Sequence, residues 1–326
     1  MTAERFVELR DRRALPDEQQ HALDHARRLC WWSLFWMALV SAAIFAVMGG
    51  SQAMKTAFVE NLMSLVAPTA FLIASRFQAK PIDHEYVNGR ARAFDINFLI
   101  SGATLTGVGL LLVWNGLHAL LTATHPLVGT MRIGDTVVWQ GWPMMGVLAL
   151  SAIPPVILGR RKEQLAHALS LKPLHADADT NKADWMTSLA GIAGVAGIGA
   201  GWWWADAAAA LFISGAVLRD GAGDLRNAVR DMHDARPQQT DRSDQDPLVG
   251  QVRDAVCAID WVDDCRVRFH EEGFRLSGTL FVRSRDGAVT ARQLRRAHDV
   301  ARAVHWRIDE VVVTLQGEEE ESGGKQ

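Results

Sequence analysis

Hydrophobic positions fall in long blocks along the first two thirds of the chain. Stretches near the ~20 residues needed to cross a bilayer run at about 30–49, 56–75, 95–121, 137–158, 184–201 and 203–219. The last two are divided by "GAGWWWAD", where Trp202, Trp203 and Trp204 suit an aromatic belt at a membrane interface. A Gly-Trp cluster midway through so long a stretch predicts a hairpin of two spans, not one kinked helix. Six spans follow. After them "RDGAGDLRNAVRDMHDARPQQTDRSDQD" reads as an amphipathic helix and then a polar linker near 236–246.

The pattern then changes. Residues 247–262 have helical spacing, and the stretch from Cys265 to Ser284 alternates around Glu272-Gly273 as a hairpin does. Helical spacing returns over 290–308, with Thr290 placed to cap it, and "DEVVVTLQ" reads as a strand. The predicted fold is a membrane all-α domain of six transmembrane helices plus a cytoplasmic α+β domain ordered α-β-β-α-β. The predicted boundaries are an N-terminal cytoplasmic segment at 1–28, the transmembrane domain at 29–220 and an amphipathic extension and linker at 221–246. A dimerisation domain follows at 247–318, then an acidic tail at 319–326 that needs no fixed structure. A module of that size is marginal alone and gains from pairing with a second copy.

Composition agrees with a membrane half and a soluble half. The chain is 49% hydrophobic with a formal net charge of -3, which excludes both a basic nucleic-acid binder and an acidic disordered chain. Residues 31–75 hold only Lys55 and Glu60 as charges, while 236–326 is crowded with Arg, Asp and Glu. Cys30, Cys257 and Cys265 make neither a disulfide framework nor a CxxC zinc motif. The first 28 residues are polar and Arg-rich, without the apolar core of a secretory leader.

Basic residues orient the spans. Arg5, Arg10, Arg12, Arg13, Arg27 and Arg28 precede the first. Arg76, Lys80, Arg90 and Arg92 lie between the second and third, and Arg160, Arg161, Lys162 and Lys172 between the fourth and fifth. The opposite loops offer little beyond Lys55 and Arg132. By the positive-inside rule both termini are cytoplasmic, in a multi-pass protein of the cytoplasmic (inner) membrane.

Polar residues within the spans are the candidate chemistry. Asp177, Thr180, Asn181 and Asp184 stand at i, i+3, i+4 and i+7 and share one helix face, which Ser188 extends. Gln52, Thr56, Glu60 and Ser64 recur every four residues on the second span. An acid inside a membrane span is costly and marks a functional site by default; Glu60 and Asp184 are such acids. Two stripes of oxygens could replace the water shell of a metal ion. Ser64 and Ser188 serve equally well as packing residues bonded back to the backbone, and Asn and Gln as bridges between helices. Asp179 suits a helix start, where an acid complements the dipole. Asn97, Ser101 and Thr104 line one face of the third span, with Asn115 and His118 at its far end, as packing or pathway groups.

The chain resembles the cation diffusion facilitator family of metal/proton antiporters. The matching segments are "GSQAMKTAFVENLMSLVAP" in the second span, "KPIDHEYVNGRARAF" in the loop after it, "LHADADTNKADWMTSLAG" in the fifth span and "WWWADAAAALFISGAVLRDGAGDLRNAVRDMHD" from the sixth span onward. The resemblance implies an ion held between two ligand pairs, each four residues apart, on the second and fifth spans. Zinc carriers of the family typically place Asp and Asp on the second, then His and Asp on the fifth. Here those places hold Glu60 and Ser64, then Thr180 and Asp184, with Asn181 as a neighbouring oxygen.

The missing histidine changes the expected ion. Zinc prefers a shell with nitrogen or sulfur, whereas an all-oxygen set suits Mn²⁺, Fe²⁺ or Mg²⁺. The expected function is divalent-cation export in exchange for protons by a homodimer. No resident cofactor is expected, and the carried ion is Mn, Fe, Mg or Zn. Asp177 is a candidate guide for approaching ions. A degenerate ion site leaves a non-transporting membrane scaffold or metal sensor as the alternative. No GxSxG or HExxH motif supports an enzyme. In the tail, His270, His298 and His305 are too dispersed to define a metal site.

Overall fold

The computed structural model describes residues 15–80, 85–86, 89–123, 128–133, 135–285 and 287–316, and the side chains of 131, 133, 179, 180, 182 and 183 lie outside that set. The N-terminal arginines up to Arg13, most of "PIDHEYVN" and the acidic end therefore fall outside the described residues. The chain forms two compact units: residues 21–79 with 93–229, and a second one around 230–316 with the Arg90–Arg92 segment.

The first unit is helical. α1 (Asp17–Val47), α2 (Gln52–Met63), α3 (Val66–Gln78), α4 (Ala93–Leu121), α5 (Gly141–Leu169), α6 (Lys172–Gly199) and α7 (Ala205–Met232) follow one another, with a short antiparallel hairpin of β1 (Thr130–Ile133) and β2 (Thr136–Trp139) between α4 and α5. Among the described residues, four helical segments are long and apolar enough to cross a membrane: Asp17–Val47, Gln52–Gln78, Ala93–Leu121 and Gly141–Leu169. Only 22–33% of their apolar windows is buried within the protein. Their outward faces carry exposed Trp32, Phe35, Leu111, Trp114 and Ile153, as lipid contact requires. α6 and α7 are 28 residues each but more polar, because they carry the acids discussed below.

Several boundaries differ from the sequence pattern, each for a local reason. The second span is two segments, α2 and α3, divided at Ser64–Leu65. Pro68 has no N–H to offer the Ser64 carbonyl four residues back, so the helical ladder breaks there. The fourth helix begins at Gly141 because residues 130–139 pair as the β1–β2 hairpin. α6 begins at Lys172, with Pro173 in the first turn where its missing N–H costs nothing. Asp179 is thus eight positions inside a helix instead of at its start. α7 runs unbroken to Met232, so the sixth apolar stretch and the amphipathic extension are one helix.

Close helix approach rests on glycine. Gly102, Gly109 and Gly116, seven apart on α4, face Leu225, Leu218 and Leu211, seven apart on α7. A Cβ at Gly102 would stand 2.6 Å from the Leu225 backbone nitrogen, and one at Gly109 would stand 2.8 Å from the Leu218 Cα. Small residues on a seven-residue repeat are what lets two membrane helices pack backbone to backbone.

The second unit is a three-stranded sheet of order β3-β4-β5 with two helices: α8 (Pro247–Cys257), β3 (Val262–Glu272), β4 (Arg275–Ser284), α9 (Ala291–Val304) and β5 (Ile308–Leu315). β3 and β4 pair antiparallel and turn at Gly273, φ 65; β4 and β5 pair parallel. Thr290 and Gln293 form a capping box on α9. The apolar core includes Val252, Val256, Leu276, Leu280, Ala297 and Ile308. A charged knot lies beside it: buried Arg307 donates to Asp246 at 2.5 Å, to Glu271 at 3.0 Å and to the Phe274 carbonyl at 2.9 Å, while Arg275 meets Asp309 at 2.7 Å.

Candidate ion-binding site

Glu60 on α2 and Asp184 on α6 line one cavity. Helical spacing puts Asn61 and Ser64 beside Glu60, and Thr187 and Ser188 beside Asp184, all facing the same space. α5 adds Ser151 and Pro155, and the apolar side is built from Val40 and Ile44 of α1, Ala57 and Leu148. The floor is rigidly placed: Val40, Ile44, Ala57 and Leu148 belong to one buried cluster with Met54, Met144 and Val195.

Hydroxyls and amides hold this arrangement. Ser64 Oγ donates to the Glu60 carbonyl at 3.1 Å and Thr187 Oγ1 to the Asp184 carbonyl at 2.8 Å. Ser151 and Ser188 hydroxyls meet across α5 and α6 at 3.3 Å. Asn61 Nδ2 donates to the Met37 carbonyl at 2.7 Å and to Ser41 Oγ at 2.6 Å, pinning α2 against α1. Prolines shape the same spot. Pro155 cannot donate to the Ser151 carbonyl, and Pro68 cannot donate to that of Ser64. Both serines line the cavity, and neither carbonyl has the usual N–H four residues on.

The sequence-predicted residues divide. Glu60, Ser64 and Asp184 come together. Asn181 and Asp177 line a neighbouring cavity instead, with Asn97, Ser101, Thr104 and Asp224. Ser64 is the wall common to both. The Thr180 side chain lies outside the described residues. Asp177 forms a buried ion pair with Lys162, 2.6 Å apart, tying α6 to α5. Asn181 Nδ2 donates to the Asp177 carbonyl at 2.6 Å, and its Oδ1 has no partner among the described residues.

Asn61, Ser151 and Thr187 line the cavity and escaped the sequence reading, as did the packing role of Asp206. Asn61 and Ser151 sit one position beside or outside the four-residue stripes, so spacing did not select them. Asp206 looks like a dipole acid in the first turn of α7. In fact it is fully buried and accepts from Ser51 Oγ at 2.6 Å and from the backbone N–H groups of Gln52 at 2.5 Å and Ala53 at 3.2 Å. It caps α2 from another helix, which no local pattern shows.

Chemically the first cavity offers two carboxylates, several hydroxyls and an amide. Among the described residues lining it, none is basic and none is a histidine or cysteine. Residues 31–232, well over half of the chain, match the family model described as the cation efflux transmembrane domain. The chain belongs to the cation efflux family. No curated protein matches it. As a cation efflux protein it is a multi-pass membrane cation transporter, and its helical unit contains this cavity lined by two carboxylates.

Proposed function

We propose that this cation efflux protein exports a divalent metal cation in exchange for protons. Glu60 and Asp184 hold the ion, and Ser64 and Thr180 complete the shell, with Asn181 taking part on the approach side. The carrying observation is two carboxylates from different helices in one cavity with no basic residue among its described lining. A pair of carboxylates at membrane depth needs neutralising, and either one divalent cation or two protons does so. Metal ligands must be deprotonated to bind, so the two occupants exclude each other. That exclusion is the physical basis of exchange.

The donor set favours a hard ion, Mn²⁺, Mg²⁺ or Fe²⁺, over Zn²⁺. The Ser64 and Ser151 carbonyls add oxygens of the kind that broken membrane helices offer to cations. α6 and α7 complete six spans, both termini are cytoplasmic, and the protein sits in the inner membrane. The neighbouring cavity, lined by Pro173, Leu174, Asp177 and Asn181 of α6 and Asp224 of α7 among others, is the cytoplasmic approach. The C-terminal unit pairs two copies into a homodimer.

The test is flux into proteoliposomes under a pH gradient, with Zn²⁺, Mn²⁺, Fe²⁺, Co²⁺, Ni²⁺ and Mg²⁺ compared. Manganese-class ions are expected to move and to release protons. Flux of no ion would sink the transport reading in favour of a scaffold. A clear preference for zinc would overturn the oxygen-shell argument alone.

A further inference from the structure

A second group of ligand-bearing side chains stands at the turn between α5 and α6, away from the acidic cavity. Glu163 and His167 are four apart on α5 and so share a face. Ser170 ends that helix with φ 52, and the Ser170 and Leu171 N–H groups close the turn on the His167 and Ala166 carbonyls. The reversal brings His175, in the first turn of α6, back over the same face. His167 Nε2 and His175 Nδ1 each lie 3.8 Å from Glu163 Oε1, and the three ligand atoms are all within 4.8 Å of one another. The two imidazole rings are 5.5 Å apart.

We propose that Glu163, His167 and His175 form a binding site for a borderline divalent cation of the zinc class, separate from the transport cavity. Two imidazoles and a carboxylate are the donor set of open tetrahedral zinc sites, with water in the fourth place. Metal–ligand bonds of about 2.0–2.2 Å put tetrahedral ligand atoms about 3.4 Å apart. Side-chain rotations of roughly an ångström therefore close the triangle. His167 is half exposed, which gives it freedom to turn and the ion a route in from solvent; His175 and Glu163 are more enclosed and fix the site's position. The chemistry is the opposite of the oxygen-only transport cavity, so the two sites select different ions.

The site also has a mechanical consequence. Lys162 precedes Glu163, and Asp177 follows His175 by two residues. Their buried ion pair already fastens α5 to α6 at this level, and Asp177 and Asn181 line the cavity next to the acidic one. An ion joining His175 to α5 is a second fastening at the mouth of the transport path.

The experiment uses the full-length protein in detergent, with Glu60→Gln and Asp184→Asn introduced to silence the transport cavity. Zn²⁺ binding is measured by competition with a chromophoric chelator, and Co²⁺ is used as a spectroscopic probe of tetrahedral nitrogen ligation. One Zn²⁺ per chain is expected, with affinity at least tenfold weaker in His167→Ala and in Glu163→Gln, and with the tetrahedral Co²⁺ bands lost. Zn²⁺ is also expected to slow amide exchange across 170–178 in the silenced protein but not in its His167→Ala form. His167→Ala removes an exposed side chain and leaves the fold intact, so its thermal midpoint without metal serves as the control. Absence of Zn²⁺ binding in the silenced protein, or binding untouched by both substitutions, would overturn the proposal and leave the transport reading standing.

Discussion

At the scale of single residues, charge burial decides which side chains cannot be exchanged. Glu60→Gln and Asp184→Asn keep shape and remove charge, so each is expected to lower metal flux in proteoliposomes by at least tenfold while the detergent-solubilised protein keeps its thermal midpoint. Arg307 is different in kind. Its removal leaves Asp246 and Glu271 buried and uncompensated, and breaking a buried pair from one side costs about 3–5 kcal/mol. Arg307→Ala is expected to unfold the C-terminal unit first, seen as a separate low-temperature transition in calorimetry of the whole chain.

His270 gives a pH dependence with a definite sign. The Glu272 side chain, which it meets at 3.4 Å, raises its pKa above the ordinary 6.5, against a smaller opposing effect of partial burial; Asp234 pushes upward and Arg92 downward. The raised value means the folded state holds the proton more tightly. The contribution is therefore complete below about 6.5 and is lost as pH rises through the folded-state value. A His270→Gln variant is expected to flatten the fall in thermal midpoint above that pH. Cys265, pushed up to about 12 chiefly by burial, is expected to resist alkylation of the native protein at neutral pH.

At the scale of elements, helix geometry rests on glycine and proline. Gly109→Leu would drive side-chain atoms into the α7 backbone and is expected to lower both folded yield and flux, read by size-exclusion chromatography and transport. Pro155→Ala restores an N–H for the Ser151 carbonyl and so changes the helix geometry beside the cavity. It is expected to leave the fold intact, or to stabilise it, while weakening apparent metal affinity in flux measurements. Much of this level was legible in the sequence. Thr290 three residues before Gln293 is a local signal, as is Gly273 between alternating stretches, because both operate within one turn of chain. The β1–β2 hairpin was not, since its residues merge into the apolar run of the next span. The break at Ser64 was hidden similarly: Pro68 announces it only when the carbonyl four residues back is counted.

At the scale of the whole molecule, the cation efflux domain and the C-terminal sheet are two units with separate cores. The homodimer reading predicts a mass of two chains in detergent by light scattering. A variant truncated after Arg236 is expected to shift toward monomer and to retain some flux, since the acidic cavity lies wholly within the helical unit.

Taken alone, the order of residues determined the membrane class, the long apolar helices, the small C-terminal sheet unit and the position of two acids, Glu60 and Asp184, within apolar stretches. Those features depend on periodicity and on the cost of charge in lipid, which neighbouring positions already express. Only the tertiary structure decided which oxygens share a cavity. It moved Asn181 and Asp177 to the adjoining space, bound Asp177 to Lys162, brought Ser151 and Asn61 to the acids, set Asp206 over the start of α2 and gathered Glu163, His167 and His175 at one turn. Each depends on the rotation and depth of one helix against another. Side chains far apart in the chain set these together, and no single stretch encodes them.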